Sequence, residues 1–474
     1  MLSAAEINMS KRLSKTVQPA RRKPAIRFIG LLMALTVIAV LPATRAQSFK
    51  VPFSQFQLDN GLRVVLSEDH AAPVVAIAVY YDVGSRNEVK GRTGFAHLFE
   101  HMMFQGSENI GKAQHFKYVE TNGGTMNGST HIDFTNYYEF LPSNQLELAL
   151  WLESDRMRSL KITPENLKNQ QEAVKEEKRL SYDNQAYWPA LEKMDEMIFH
   201  NWANSHSTIG SMTDLDAARI ADVQKFFDTY YVPNNAVLAI AGDLDAAQAE
   251  ALVRKYFSTI PRRADPPSID VSEPSGVVAR KQVADDQHAE TPAVAIAWKI
   301  PARRTPDFYA LALLKSILFD GDSARLYQKL VKEKAVALEV SGTLEARRGP
   351  GQVAVVAIHK PDATSEAVQA IIEAEIERAK TEGVTADELA KVKNQYRLSR
   401  FTGSGDGEYT SLQTALGRAL ALAEFTMFDG DPALVNTEID RYLAVTPEQV
   451  RDVARKYLIA PNTAVLYIRP AKGK

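Results

Sequence analysis

His97-Leu98-Phe99-Glu100-His101 lies within a segment, Gly94 to Phe104, that is rich in apolar residues and has no internal proline, a pattern that predicts helix. On a helix, residues i and i+4 share a face, so His97 and His101 stand one turn apart with Glu100 projecting beside them. Two imidazoles so placed can converge on one metal ion at roughly 2.0 to 2.1 Å. A carboxylate next to them can take a proton from attacking water. With 9 histidines in 474 residues, a chance H-x-x-E-H arises in about one such sequence per hundred. A solvated helix face with two spare histidines is the competing reading.

A catalytic zinc site takes three protein ligands and leaves one position open, so a third ligand is needed. Cysteine is absent, which excludes disulfides, thiolate nucleophiles and thiolate ligands and points to a carboxylate. Thr163-Pro164 reads as a helix cap and first turn, and the helix beyond them carries Glu172, Glu176 and Glu177 before Tyr182-Asp183-Asn184-Gln185 ends it. Helical spacing alone leaves Glu176 and Glu177 in competition. His70, His115, His131, His200, His206, His288 and His359 read as structural or surface residues, His131 standing on a strand expected to border the site.

These helices belong to a unit written twice. Asp69-His70-Ala71-Ala72-Pro73 with Val74 to Ala78 is echoed by Gln287-His288-Ala289-Glu290-Thr291-Pro292 with Ala293 to Ala297, and Pro233-Asn234-Asn235-Ala236-Val237-Leu238 by Pro461-Asn462-Thr463-Ala464-Val465-Leu466. Asn60-Gly61 between alternating apolar residues predicts a type I′ hairpin, and Gly123 to Leu141 reads as β-rich. The fold class expected is α+β: two homologous domains of sheet and helix, residues 47–260 and 277–474, joined by a proline-rich linker at 261–276. Aligning Phe104-Gln105-Gly106 with Phe319-Asp320-Gly321 sets His97, Glu100 and His101 opposite Ala312, Lys315 and Ser316, and aligning Thr163 with Thr385 sets Glu177 opposite Ser399. Only the first copy has metal ligands.

Residues 1–46 differ in kind, with basic residues from Lys11 to Arg27 ahead of an uncharged apolar run, Phe28 to Leu41, and small residues up to Ala46. This is the pattern of a cleavable signal peptide, and it implies export, with the membrane involved only through the leader; an uncleaved membrane anchor is the competing reading. Without that basic leader the remaining chain is acidic, which excludes nucleic acid as a partner.

At these motifs the chain resembles the pitrilysin/insulinase family of zinc metallopeptidases, the inverzincins, and most of all its half-length branch, similar to the mitochondrial processing peptidase. The resemblance runs from Leu58-Asp59-Asn60-Gly61-Leu62 through the histidine helix, Gly123-Gly124-Thr125-Met126-Asn127-Gly128, Asp155-Arg156-Met157 and Pro233-Asn234-Asn235 into the second copy. It implies a two-domain chain forming half of a clamshell, one Zn²⁺ per chain, Glu177 as third ligand and Glu100 as general base. It also implies that a peptide adds as a strand along Asn127, Gly128, Ser129 and Thr130.

The chain departs from that pattern at Gln170, where many relatives have a second glutamate. It departs again at Val331 and Leu338, where catalytic relatives have an arginine and a tyrosine that hold the substrate. The resemblance therefore implies a periplasmic endopeptidase for oligopeptides or unfolded segments that works as a homodimer or with a related chain supplying the Arg/Tyr pair. The competing functions are a non-catalytic peptide-binding or assembly subunit, and hydrolysis of a non-peptide substrate at the same metal.

Overall fold

Val74 to Tyr81 reads Val-Val-Ala-Ile-Ala-Val-Tyr-Tyr, and the alternation of alanine with larger residues already separates two faces of a strand. A computed structural model describes residues 49–274, 280–403 and 411–471. The leader expected at 1–46 and the last two residues of the expected linker lie outside the described residues.

Six strands form the first sheet: β1 (Ser54–Gln57), β2 (Arg63–Glu68), β3 (Val74–Tyr81), β4 (Thr125–Thr130), β5 (Thr135–Pro142) and β6 (Ala236–Gly242), in the order β1-β2-β6-β3-β5-β4. Five form the second: β7 (Arg280–Asp286), β8 (Ala293–Ile300), β9 (Ala337–Glu345), β10 (Gly351–His359) and β11 (Thr463–Pro470), in the order β7-β11-β8-β10-β9. Leaving out β1, the two orders are the same, and in each sheet the pair that joins the start of the unit to its end, β2 with β6 and β7 with β11, is parallel. The internal duplication is thus visible in topology as well as in sequence. The fold is α+β.

On one face of the first sheet, Val75, Ile77, Val79 and Tyr81 of β3 join Leu238 and Ile240 of β6 in a core with the helices of the same half. The other face is lined by Ala76, Ala78, Ala239 and Ala241 and is covered by helix Ala415–Asp429, which comes from the second half. The second sheet repeats the arrangement, with Ala293, Ala295 and Ala297 of β8 packed against Met194, Met197 and Ile198 of helix Lys193–Ile198, from the first half. Small side chains on one face let a foreign helix sit close, while the large face is kept for helices of the same copy. Among the described residues, each copy of the repeated unit holds one sheet and lends the other a helix.

Residues 261–274 form no regular element, yet they are fastened down: Glu273 accepts the backbone N–H of His200 and of Asn201 and the ammonium of Lys299 at 2.9 Å. Asn60-Gly61 does not form the expected two-residue type I′ turn. That turn needs positive φ at both residues, and only Gly61 has it, at +93°. The Asn60 amide instead donates to the carbonyls of Phe257 and Ile260, and a longer loop closes between Leu58 and Leu62.

Candidate metal centre

The histidine helix is Phe95–Met102, with Phe95, Ala96, Leu98, Phe99 and Met102 buried against the core. Its apolar residues fix which way it faces, and this leaves the polar edge of His97, Glu100 and His101 toward β4 and the second helix. The start of the helix is built tightly. Gly94 holds φ at +81°, and a Cβ there would stand 2.6 Å from the carbonyl oxygen of Ile209. Buried Glu88 accepts the N–H groups of Gly94 at 3.0 Å and of Ala96 at 2.8 Å, so a carboxylate caps the positive end of the helix. His206 in turn bonds Glu88 at 3.1 Å. Glu88 and His206 are positioning residues that the sequence reading did not single out as a pair. Their only signal was an acid six residues ahead of the glycine that starts the helix.

The second helix is Pro164–Lys178, and the Thr163 hydroxyl caps it by accepting the N–H of Asn166. Glu177 sits in its last turn and points inward, with Oε1 3.7 Å from Nε2 of His97 and Oε2 3.2 Å from Nε2 of His101. The two imidazole rings are 4.8 Å apart and perpendicular. One atom from each of the three residues lies within 4.8 Å of the others. Glu176 turns to the surface and pairs with Arg179. The competition left open by helical spacing is decided by the face that packs.

The donor set suits a divalent ion of zinc type: two imidazole nitrogens and one carboxylate, gathered from two helices. Burial, reinforced by neighbouring His101, pushes His97 down to about 4, so its ring is neutral and can offer a lone pair at ordinary pH. Burial alone would raise Glu177, but the hydrogen bond to His101 and the electrostatic influence of the two neighbouring imidazoles hold it below the usual carboxylate range.

Glu100 is not part of this triangle. Its Oε2 accepts a 2.7 Å hydrogen bond from Thr130 Oγ1, and burial raises its pKa against the opposing effect of that bond. The residues expected to bind substrate lie on β4, the outermost strand of its sheet. Their side chains are engaged locally. Ser129 bonds Asn136 and His131, Thr130 bonds Glu100, and a Cβ on Gly128 would come within 3.2 Å of Glu100 Cγ. What β4 offers outward is its main chain, because β5 pairs with only one of its edges. His131 stacks on Phe134 and stays out of the metal triangle.

Thr130, His131 and Ile132 open into a cavity of about 1030 Å³ that extends to Val340, Ser341 and Gly342 on the edge strand β9 and to the second copy's helices. There the counterpart of the metal site holds Ala312, Lys315, Ser316 and Ser399, with the Lys315 ammonium 2.8 Å from Asp320 and Ser316 bonded to the same carboxylate. An ammonium ion cannot be a metal ligand. Val331 is half-buried, and Leu338 is exposed on β9.

Residues 63–210 match the insulinase family, peptidase family M16, and residues 218–396 match the M16 inactive domain. The chain belongs to the M16 family. A zinc protease named PqqE from Helicobacter pylori is 29% identical over 386 residues, spanning 80% of this chain and 87% of that protein. An uncharacterized zinc protease of Mycobacterium leprae is 27% identical over 369 residues, spanning 76% and 81% of the two chains. The crystal structure of a protease from Helicobacter pylori superposes with a TM-score of 0.83 at 26% identity, covering 89% of this M16 chain and all of that one. This M16 protein is thus a half-length member whose relatives are named zinc proteases.

Proposed function

We propose that this M16 protein is a zinc-dependent endopeptidase that hydrolyses oligopeptides or unfolded polypeptide segments, with Glu100 as general base. The observation that carries the reading is the convergence of His97, His101 and Glu177 on one point, with Glu100 held alongside by Thr130. A zinc ion held there supplies Lewis acidity to the attacking water and the scissile carbonyl. Glu100, its Oε2 fixed by Thr130, takes the water proton and returns it to the leaving amine. No covalent link to the enzyme is required.

The open edge of β4 and the adjoining cavity support a substrate bound as an extra strand, with main-chain hydrogen bonds giving affinity and little side-chain selectivity. Such a segment has to be short or unfolded to enter. Val331 and Leu338 offer no side-chain hydrogen-bond donors, and a second copy of this chain carries the same two residues, so the missing Arg/Tyr pair has to come from a related sister chain. The leader pattern supports export, and the resemblance to periplasmic relatives supports a periplasmic location for the mature protein.

The match to a domain described as inactive, together with those two apolar residues, favours a second reading, a peptide-binding or assembly subunit. Metal analysis of the purified chain, combined with cleavage of quenched peptides by the chain alone and co-expressed with a related chain, separates the two. Zinc at one per chain with cleavage in either condition is expected. Zinc without cleavage in both supports the binding subunit, and absence of zinc removes the metal reading altogether.

A further inference from the structure

The carboxylate that completes the metal triangle is the penultimate residue of its helix, and the chain beyond it runs directly into the second half. Lys178, buried next to Glu177, reaches Asp183 and Glu192, each at 3.3 Å, and Glu192 also accepts the Ser207 hydroxyl at 2.7 Å. A π-helical turn, Arg179–Asp183, brings the chain to Tyr187, which has φ of +72°, a left-handed conformation costly for a tyrosine. Such a conformation persists only where its surroundings hold it. Here the Tyr187 N–H donates to Asp286 Oδ2 at 2.9 Å and its hydroxyl to the Thr291 carbonyl at 3.0 Å.

Asp286 ends β7 of the second sheet and is itself buried and pinned, its Oδ1 accepting the N–H groups of His288 and Ala289 at 2.7 and 2.9 Å. Beyond Tyr187, Ala190, Met194, Met197 and Ile198 pack on the alanine face of that sheet. Asp195 is bound there by Gln352 at 2.7 Å and by Arg347. The segment C-terminal to Glu177 is therefore anchored on the second half, where Ala312, Ser316 and Ser399 stand in place of His97, His101 and Glu177.

We propose that the second half sets the zinc affinity of the first, with Asp286 and Tyr187 as positioning residues that hold the end of the Glu177 helix in register with His97 and His101. The inference rests on the zinc reading above. Two histidines on one rigid helical turn keep their spacing unaided, whereas a carboxylate at a helix end depends on where that end is tied.

The test is zinc affinity of the full chain, measured by competition with a chromophoric chelator, alongside melting of the metal-free protein. Asp286→Asn turns one acceptor into a donor facing the N–H of Tyr187 or those of His288 and Ala289. It is expected to raise the zinc Kd at least tenfold. Asp285→Asn, on an exposed neighbour paired with Arg469, is expected to leave the Kd unchanged. Val368→Ala, a core change in helix Ser365–Thr381, supplies a destabilised control and is expected to leave Kd within twofold. If Asp286→Asn does not accumulate folded, Tyr187→Phe carries the same test, with a threefold or greater rise expected. Wild-type affinity in folded Asp286→Asn or in its substitute Tyr187→Phe, or an equal loss in Val368→Ala, overturns the proposal. A wild-type chain that binds no zinc overturns the zinc reading instead.

Discussion

Thr130 Oγ1 donates to Glu100 Oε2 across 2.7 Å, which ties the edge strand expected to receive substrate to the carboxylate expected to move the proton. Two sequence motifs of different kinds thus meet in one hydrogen bond. Glu100→Gln keeps the shape and the metal ligands but removes the base. Turnover is expected to fall by roughly 10² to 10⁴ with zinc content unchanged. Steady-state kinetics beside metal analysis checks both halves of the statement, and unchanged turnover removes Glu100 from the chemistry.

Gly128 faces the same carboxylate. A methyl group there would lie 3.2 Å from Glu100 Cγ and 3.1 Å from Tyr137 Cδ1, and its φ is not of the left-handed kind, so space alone is at issue. Gly128→Ala is expected to displace Glu100 by a few tenths of an ångström and to lower kcat by about tenfold to a hundredfold, with zinc retained. A variant that loses its metal would place the strain on the ligands instead.

Removing the metal leaves Glu177 facing two imidazoles in a partly buried triangle, and the binding free energy of the ion is lost from the folded state. At free zinc about a thousand times Kd, that loss is about 4 kcal/mol. Chelation is expected to lower the melting temperature of the wild type by several degrees and to leave His97→Ala, which lacks a ligand, unmoved. Calorimetry with and without chelator is the measurement, and equal shifts in both proteins would mean the chelator acts elsewhere.

A second buried cluster makes a prediction about pH. Glu139 on β5 and Glu153 on helix Leu146–Arg158 are both fully enclosed beside His115 and Arg156, and burial pushes each carboxyl up to about 7. A carboxyl whose pKa is raised in the folded state keeps a proton that the unfolded chain releases, so its contribution to stability falls as pH rises from about 4.5 to 7. His115, held down to about 3 by burial, acts in the opposite sense below its ordinary value. The informative quantity is therefore a difference. Stability of Glu139→Gln minus that of the wild type is expected to rise by about 1 to 3 kcal/mol between pH 5 and 8. Denaturant titrations across that range check it, and a flat difference shows that Glu139 is ionised throughout.

Much of the site was legible because its signals are local. The i, i+4 histidines, the Thr163-Pro164 cap and the Phe104/Phe319 and Thr163/Thr385 alignments all describe single helices, and each helix forms where expected. The choice between Glu176 and Glu177 was not legible from spacing, because it depends on which face Val174 buries. Nor was the Asn60 turn, where two backbone carbonyls 197 and 200 residues away capture the amide. The crossed helices escaped for a related reason. Ala293, Ala295 and Ala297 read as parts of an ordinary buried strand, and nothing in a strand's own composition says which half will cover it.

The alanine faces have a consequence for how such a chain could arise. One copy of the repeated unit, translated by itself, would present a bare small-residue surface and a detached apolar helix that fits it. Two such molecules could satisfy each other only by trading those helices. Fusion of the two copies makes that trade intramolecular, so neither partner has to be found by diffusion and neither half can be cut away without exposing the other.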